Sequence, residues 1–466
     1  MQDLFRFRHE LSRFLTYAAA GFLMFTASLV AAAPPQQQKI PQDFVQVLRS
    51  FLPEEILFLH TDLPQLGLLE LEDGGLLGLS SEGRAVSRDG GKTWPRFEPA
   101  LVDGTPKKGA IRHLMRLKSG AIGGFYRPGG ETMRYGYSPW FVFSQDEGRT
   151  WSKPVRVAEP FNNAVLHGKA IVTSRGRIVV PVYTLVGMTI REKGKALFRD
   201  GTALVGHHGF EEYFTYCWVY YSDDAGRTWQ PNRDKGVWAK GGELFVTLDQ
   251  GAGGNYRCNE PWVVEVSPDH LLMLLRTPLG RLYQSWSQDD GTTWTSPEPT
   301  ALASALAPPA LEKLPGSNDL LVIWNQSSAD EIKRGLQRHR ISSAISRDGG
   351  ASWRHGPNVF SIFRQQGDQN RFEPPPIRAY RSMKQAPRLP PNEMEGTYPR
   401  LNLWKDRVLI QFTALERAFY LYDEKGQTGY DRRHLPEQER ARREGQSRAS
   451  VNTTVCIGLP VSWFSR

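Results

Sequence analysis

The chain has 466 residues, 40% of them apolar and 11% aromatic, which is enough to bury a large core and excludes disorder as a description of the whole. Its 44 glycines, 32 prolines and 13 tryptophans favour many short strands joined by tight turns over long helices. The formal charge of +9 favours acidic partners, yet no basic cluster interleaved with aromatics is present, which argues against a nucleic-acid groove.

The first 33 residues read as an export signal. Arg6, Arg8 and Arg13 precede an apolar run from Phe14 to Val30, and Ala31, Ala32 and Ala33 supply small residues for cleavage. A secreted or periplasmic protein with no membrane span after signal removal is the expectation. Residues 34–53 follow as a linker or N-terminal extension, and residues 54–466 as the folded body.

That body repeats itself. One eight-residue phrase recurs as SRDGGKTW from Ser87, SQDEGRTW from Ser144, SDDAGRTW from Ser222, SQDDGTTW from Ser287 and SRDGGASW from Ser346. Its Asp accepts hydrogen bonds from nearby backbone N–H groups, its Gly supplies positive φ, and its Trp offers a large apolar face; the phrase is a turn and its Asp residues are structural. Six hairpins of two apolar strands around a polar turn accompany the phrases: Leu68 to Ser80, His113 to Tyr126, Gly168 to Tyr183, Trp262 to Thr277, Leu311 to Asn325 and Tyr398 to Ala414. Each hairpin with the strands leading to its phrase makes about four strands, the content of one propeller blade. The fold expected is therefore all-β, a six-bladed β-propeller with Asp-box turns. Val451 to Val461 and Phe44 to Phe58 are candidate closing strands, although LPEEILFL within the second could equally be a short helix. The mixed-charge run at 431–450 reads as a solvated insertion.

In a propeller the first strands line the axis, so residues at the hairpin starts converge. These are Asp62, Arg112, His167, Glu260, Pro309 and Tyr398, with Arg127, Arg276 and Asn325 at the ends of second strands. Several arginines near a Glu and a Tyr suit a carboxylate ligand, because guanidinium presents a fork of donors to two oxygens. Cys217, Cys258 and Cys456 show no paired spacing, so no metal site is supported; export permits one disulfide and leaves at least one thiol over.

The five Asp phrases, the GRIVVPVY hairpin, and NEPWVVEV followed by LLMLLRT resemble the sialidase superfamily over roughly residues 54–430. The resemblance implies a secreted exo-glycosidase acting on sialylated or other acidic glycans without a cofactor. Tyr398 would be the nucleophile, Glu260 the carboxylate that takes its proton, and Arg112, Arg276 and Arg338 the arginine triad, with Arg334 and Arg340 rivals for the third place. A phenol suits this chemistry because a sialic acid carries a carboxylate on its anomeric carbon, which repels an anionic nucleophile. The family's acid/base Asp has no match between Arg112 and Asp146; Glu131 is the nearest substitute and His167 a second candidate. Arg127 is a candidate contact for a sugar hydroxyl. A glycan-binding propeller without turnover, and a hydrolase or lyase for uronic acid polysaccharide, are the alternatives.

Overall fold

Valine, leucine, isoleucine and aromatic residues fill the six hairpins, and the turn in each is short and polar, so each segment folds back on itself locally. The computed structural model describes residues 42–106, 109–128, 139–158, 164–185, 190–192, 195–197, 203–205, 215–232, 258–295, 297–333, 336–377, 394–416, 420–422, 428–430 and 452–465. The expected signal segment, Glu131, Arg334 and the charged run at 431–450 lie outside them.

The hairpins head six antiparallel sheets in chain order. The first joins Gly67–Glu70, Leu76–Ser80 and Gly83–Ser87, and the second Gly109–Arg116, Ile122–Pro128, Trp140–Ser144 and Val155–Arg156. The third contains Ala164–Leu166, Ile171–Val172, Ile178–Leu185, Thr215–Ser222 and Gln230–Pro231. The fourth runs Asn259–Ser267, His270–Arg276, Arg281–Ser287 and Glu298–Ala303; the fifth runs Ala310–Lys313, Leu320–Trp324 and Arg340–Ser346, then pairs Arg354–His355 and Phe360–Ser361 with that last strand. In the sixth, Met394–Trp404 pairs with Arg407–Glu416, then Asn452–Pro460, then Phe58–His60. Strands from near both ends of the described chain thus share one sheet.

Inner strands touch in sequence. Gly67–Glu70 lies against Gly109–Arg116, Ile171–Val172 lies between Gly109–Arg116 and Asn259–Ser267, Asn259–Ser267 meets Ala310–Lys313, and Met394–Trp404 meets both Ala310–Lys313 and Gly67–Glu70. Sheets covered on both faces need unbroken apolar strands, and Leu76–Ser80 and Leu320–Trp324 are buried at every residue.

The repeated phrase closes the turn that its chemistry demands. In the fourth sheet Asp289 accepts from the Thr293 backbone at 2.7 Å, the Thr293 hydroxyl at 2.6 Å and the Ser287 hydroxyl at 2.9 Å. The same set recurs around Asp89, Asp146, Asp224 and Asp348. The Gly of each phrase sits at positive φ and presses on the preceding sheet: Gly148 on Leu77, Gly226 on Phe141, Gly291 on Val179 and Gly350 on Leu272. At Gly148, Gly226 and Gly350 an added Cβ would come within 2.9 Å of that neighbouring side chain.

Ahead of the first hairpin the expectation of a long closing strand is corrected. Residues Gln42–Ser50 form a helix, and within Phe44 to Phe58 only Phe58 enters a strand. Phe44 and Leu48, four residues apart, share one helical face, and both are buried, with Leu52 just past the helix, in the core that holds Leu311, Trp324 and Phe412.

Candidate active site

Three of the inner strands carry the same irregularity. His113 and Leu114 together stand opposite Gly124, Glu260 and Pro261 opposite Leu275, and Tyr398 and Pro399 opposite Phe412, in the second, fourth and sixth sheets. The first residue of each pair is left-handed, with φ of 53°, 48° and 55°. A side chain other than Gly in that region costs on the order of 1 kcal/mol or more, and a bulge re-aims the side chain it carries. In two of the three the second residue is proline, which has no backbone N–H to leave unpaired.

The bulges bring Glu260 and Tyr398 to a common guanidinium. Arg276 donates to the Glu260 carboxylate, and the Tyr398 hydroxyl lies near enough to raise the Arg276 guanidinium. Arg338 donates to the Thr397 hydroxyl and holds its guanidinium carbon 4.7 Å from the Tyr398 ring centroid, a cation–π contact. The His167 ring lies 5.4 Å from that of Tyr398. No direct hydrogen bond joins Glu260 to Tyr398 among these contacts; Arg276 stands between them.

Charge then sets protonation. Burial pushes the Glu260 carboxyl upward, but Arg276, His167 and Arg338 outweigh it and hold the group below the ordinary carboxylate range. Burial lowers His167 to about 4 with help from Arg400, Arg276 and Arg338, against the pull of Glu260. The imidazole is therefore neutral at neutral pH. His113 is driven well below its ordinary value by burial and by Arg400, Arg112, His167 and Lys169. For Arg400, burial and the charge of Arg112 bring the guanidinium down to about 10, against the pull of Glu260. Tyr183 borders the same group, its hydroxyl pushed up by burial and by Glu260.

The structure brings together most of the residues the sequence singles out. Tyr398, Glu260, Arg276, Arg338 and His167 form one cluster, and Arg112 joins it through the electrostatics of Arg400 and His113. Of the rivals, Arg338 lies over the Tyr398 ring, whereas Arg340 is buried and bound to Glu331 at 3.1 Å and 3.2 Å. Arg127 is exposed at its strand end, near enough for its charge to lower Arg112. Asp62 is exposed, and Asn325 is buried in donating 2.8 Å bonds to the Arg340 and Gly396 carbonyls, so these two hairpin ends serve the scaffold. Sequence reasoning missed His113 and Arg400. No signal in the sequence marks them, because the bulge that aligns His113 with Glu260 and Tyr398 is a matter of strand register and the approach of Arg400 to the cluster joins separate sheets.

All three cysteines are buried thiols. Cys217 meets Cys258, which stands two residues before Glu260, and burial with that contact pushes the Cys217 thiol well up. Among the described residues no group of three His, Cys, Asp or Glu side chains could hold a metal ion. No described helix is long and apolar enough to cross a membrane.

Repeated sheets with identical Asp turns, carrying an arginine-rich cluster around a Glu and a Tyr, define an all-β repeat protein. The profile of the BNR repeat-like domain matches residues 114–410, and the chain belongs to that family. Among solved structures, a Hadza microbial sialidase, Hz136, is similar at 19% identity and a TM-score of 0.45, over 77% of this chain and 64% of that one. A protein of unknown function from Dyadobacter fermentans is similar at 16% identity and a TM-score of 0.47, over 87% of this chain and 98% of that one. Trypanosoma rangeli sialidase in complex with the inhibitor DANA is similar at 13% identity and a TM-score of 0.42, over 85% of this chain and 54% of that one. The chain spans less than two thirds of the length of both sialidases. No curated protein sequence matches it.

Proposed function

We propose that the chain is an exported six-bladed propeller that hydrolyses terminal sialic acid, or a related acidic sugar, from glycoconjugates. The observation that carries the reading is Arg276 bonded to Glu260 beside Tyr398, with Arg338 over the Tyr398 ring. Two guanidiniums beside the phenol stabilise a developing phenolate, and Glu260 receives the proton. The phenolate oxygen then bonds to the anomeric carbon as the glycosidic bond breaks, and water later releases the sugar. Glu131 would protonate the leaving oxygen, since His167, held down to about 4, is neutral and has no acidic proton to give at neutral pH. The contacts of the inner strands, and the sharing of one sheet by strands from near both ends, support ring closure.

Release of a fluorescent phenol from an aryl sialoside tests this. Tyr398→Phe is expected to lower turnover by at least a thousandfold while leaving binding of the free sugar within a few-fold. Turnover that persists in Tyr398→Phe refutes the nucleophile. A binding module without turnover is the second reading, favoured by the Glu260 carboxylate being held on Arg276 rather than on the Tyr398 hydroxyl; retained binding with no wild-type turnover establishes it.

A further inference from the structure

Three cysteines leave room for one bridge, and the fold brings one pair of them together. Cys217 lies on the strand Thr215–Ser222 of the third sheet, opposite Tyr183, and Cys258 immediately precedes the strand Asn259–Ser267 of the fourth. These two strands pack against each other, and both cysteines are wholly buried in the apolar core that also holds Val182, Leu275 and Tyr283. Within that core their side chains meet. Cys456 stands apart. It lies in the sixth sheet, opposite His60 on one neighbouring strand and Gln411 on the other.

A thiol attacks a disulfide only as the thiolate, and burial pushes the Cys217 thiol well up, so neither oxidant nor reductant acts on the pair once the sheets have closed over it. A bond between these sulfurs has to form while the third and fourth sheets are still docking. We propose that Cys217 and Cys258 are joined by a disulfide during folding in an oxidising compartment, tying the third sheet to the fourth and leaving Cys456 as the odd thiol. Both thiols give up their protons, the two sulfurs bond, and the two electrons pass to a disulfide oxidant, which leaves as two thiols. The compartment rests on the proposed export; the pairing does not. The tie falls two residues before Glu260, whose left-handed φ of 48° has to be held by its surroundings, so it stiffens the strand start that carries the carboxylate. It also closes the chain from 217 to 258 into a loop, which restricts the unfolded state.

Refolding of the full chain in glutathione buffers, then alkylation in denaturant and peptide mass spectrometry, tests the pair without any substrate. With oxidised glutathione in excess, the protein is expected to carry one bridge, recovered as a linked peptide of Cys217 and Cys258, with Cys456 alkylated. Once refolded, the bridge should survive dithiothreitol until the protein is unfolded. The bridged form should melt above protein refolded reduced, because closing a loop of this length shifts the equilibrium towards the fold by on the order of a hundredfold or more. Cys258→Ala should abolish the bridge and Cys456→Ala should leave it intact; Cys217→Ala, on the other sheet, serves if Cys258→Ala does not fold. A bridge that includes Cys456, three alkylated cysteines at every glutathione ratio, or a bridged form that melts below the reduced one overturns the inference. An uncleaved N-terminus on protein isolated from cells removes the export reading and leaves the refolding result standing. A cleaved N-terminus with three alkylated cysteines does the reverse.

Discussion

Acidification isolates the electrostatics of the site, because His167 is held neutral by its surroundings. Its ordinary value is 6.5 and the fold brings it to about 4, so above pH 6.5 neither the folded nor the unfolded chain carries the proton. As pH falls through 6.5 the unfolded chain takes it up while the folded chain refuses it until about pH 4. Stability contributed by the neutral ring is therefore intact at pH 7 and lost on the acid side, by about 1.4 kcal/mol per pH unit and roughly 3 kcal/mol in all. Glu260, held below the ordinary value of 4.5, loses its own contribution only at lower pH, so the two windows separate. Urea unfolding of wild type and His167→Gln at half-unit steps from pH 7.5 to 4.5 measures the difference. His167→Gln is expected to be less stable at pH 7 and to lose stability less steeply, so that the two curves converge by about 2 to 3 kcal/mol. Curves that stay parallel over that range mean that burial and the arginines together do not hold His167 neutral, and the buried cationic cluster would be wrong.

Other outcomes follow from single contacts. Glu260→Ala leaves Arg276 buried without its counter-charge and is expected to cost about 3 to 5 kcal/mol in chemical denaturation. Gly226→Ala places a methyl group against the Phe141 ring at a backbone φ of 87° and should cost about 1 to 3 kcal/mol, with the binding site unaffected. In reduced protein Cys456, its thiol pushed up to about 12 by burial, and Cys217 and Cys258, sealed in the core, should react with a maleimide only on unfolding. Rapid labelling of the native protein contradicts that burial.

Much of this molecule is legible in one dimension because its constraints are local. A Ser-x-Asp-x-Gly turn uses atoms within four residues of one another, so five copies can be read directly, and Asp289 bonds to Thr293 as the phrase alone requires. Alternation of apolar runs with polar turns likewise places six hairpins without reference to anything distant. The helix Gln42–Ser50 was harder to read, since the apolar run beyond it resembles a strand and only packing of Phe44 and Leu48 on one face decides between the two periods.

The site divides in the same way. Glu260, Arg276 and Tyr398 stand out in the sequence because they tip hydrophobic strands, but which guanidinium each one meets depends on how separate sheets are set around one centre. Arg340 and Arg338 differ by two positions on the chain, yet one is bound to Glu331 and the other lies over Tyr398. A bulge turns His113 to match Glu260 and Tyr398, and an inter-sheet approach puts Arg400 near Arg112, neither of which composition or spacing can express. Local hydrogen bonds and strand periodicity were written into the chain; the balance of charge at the centre was decided by long-range contacts, because Coulomb energy depends on distance through space rather than along the backbone.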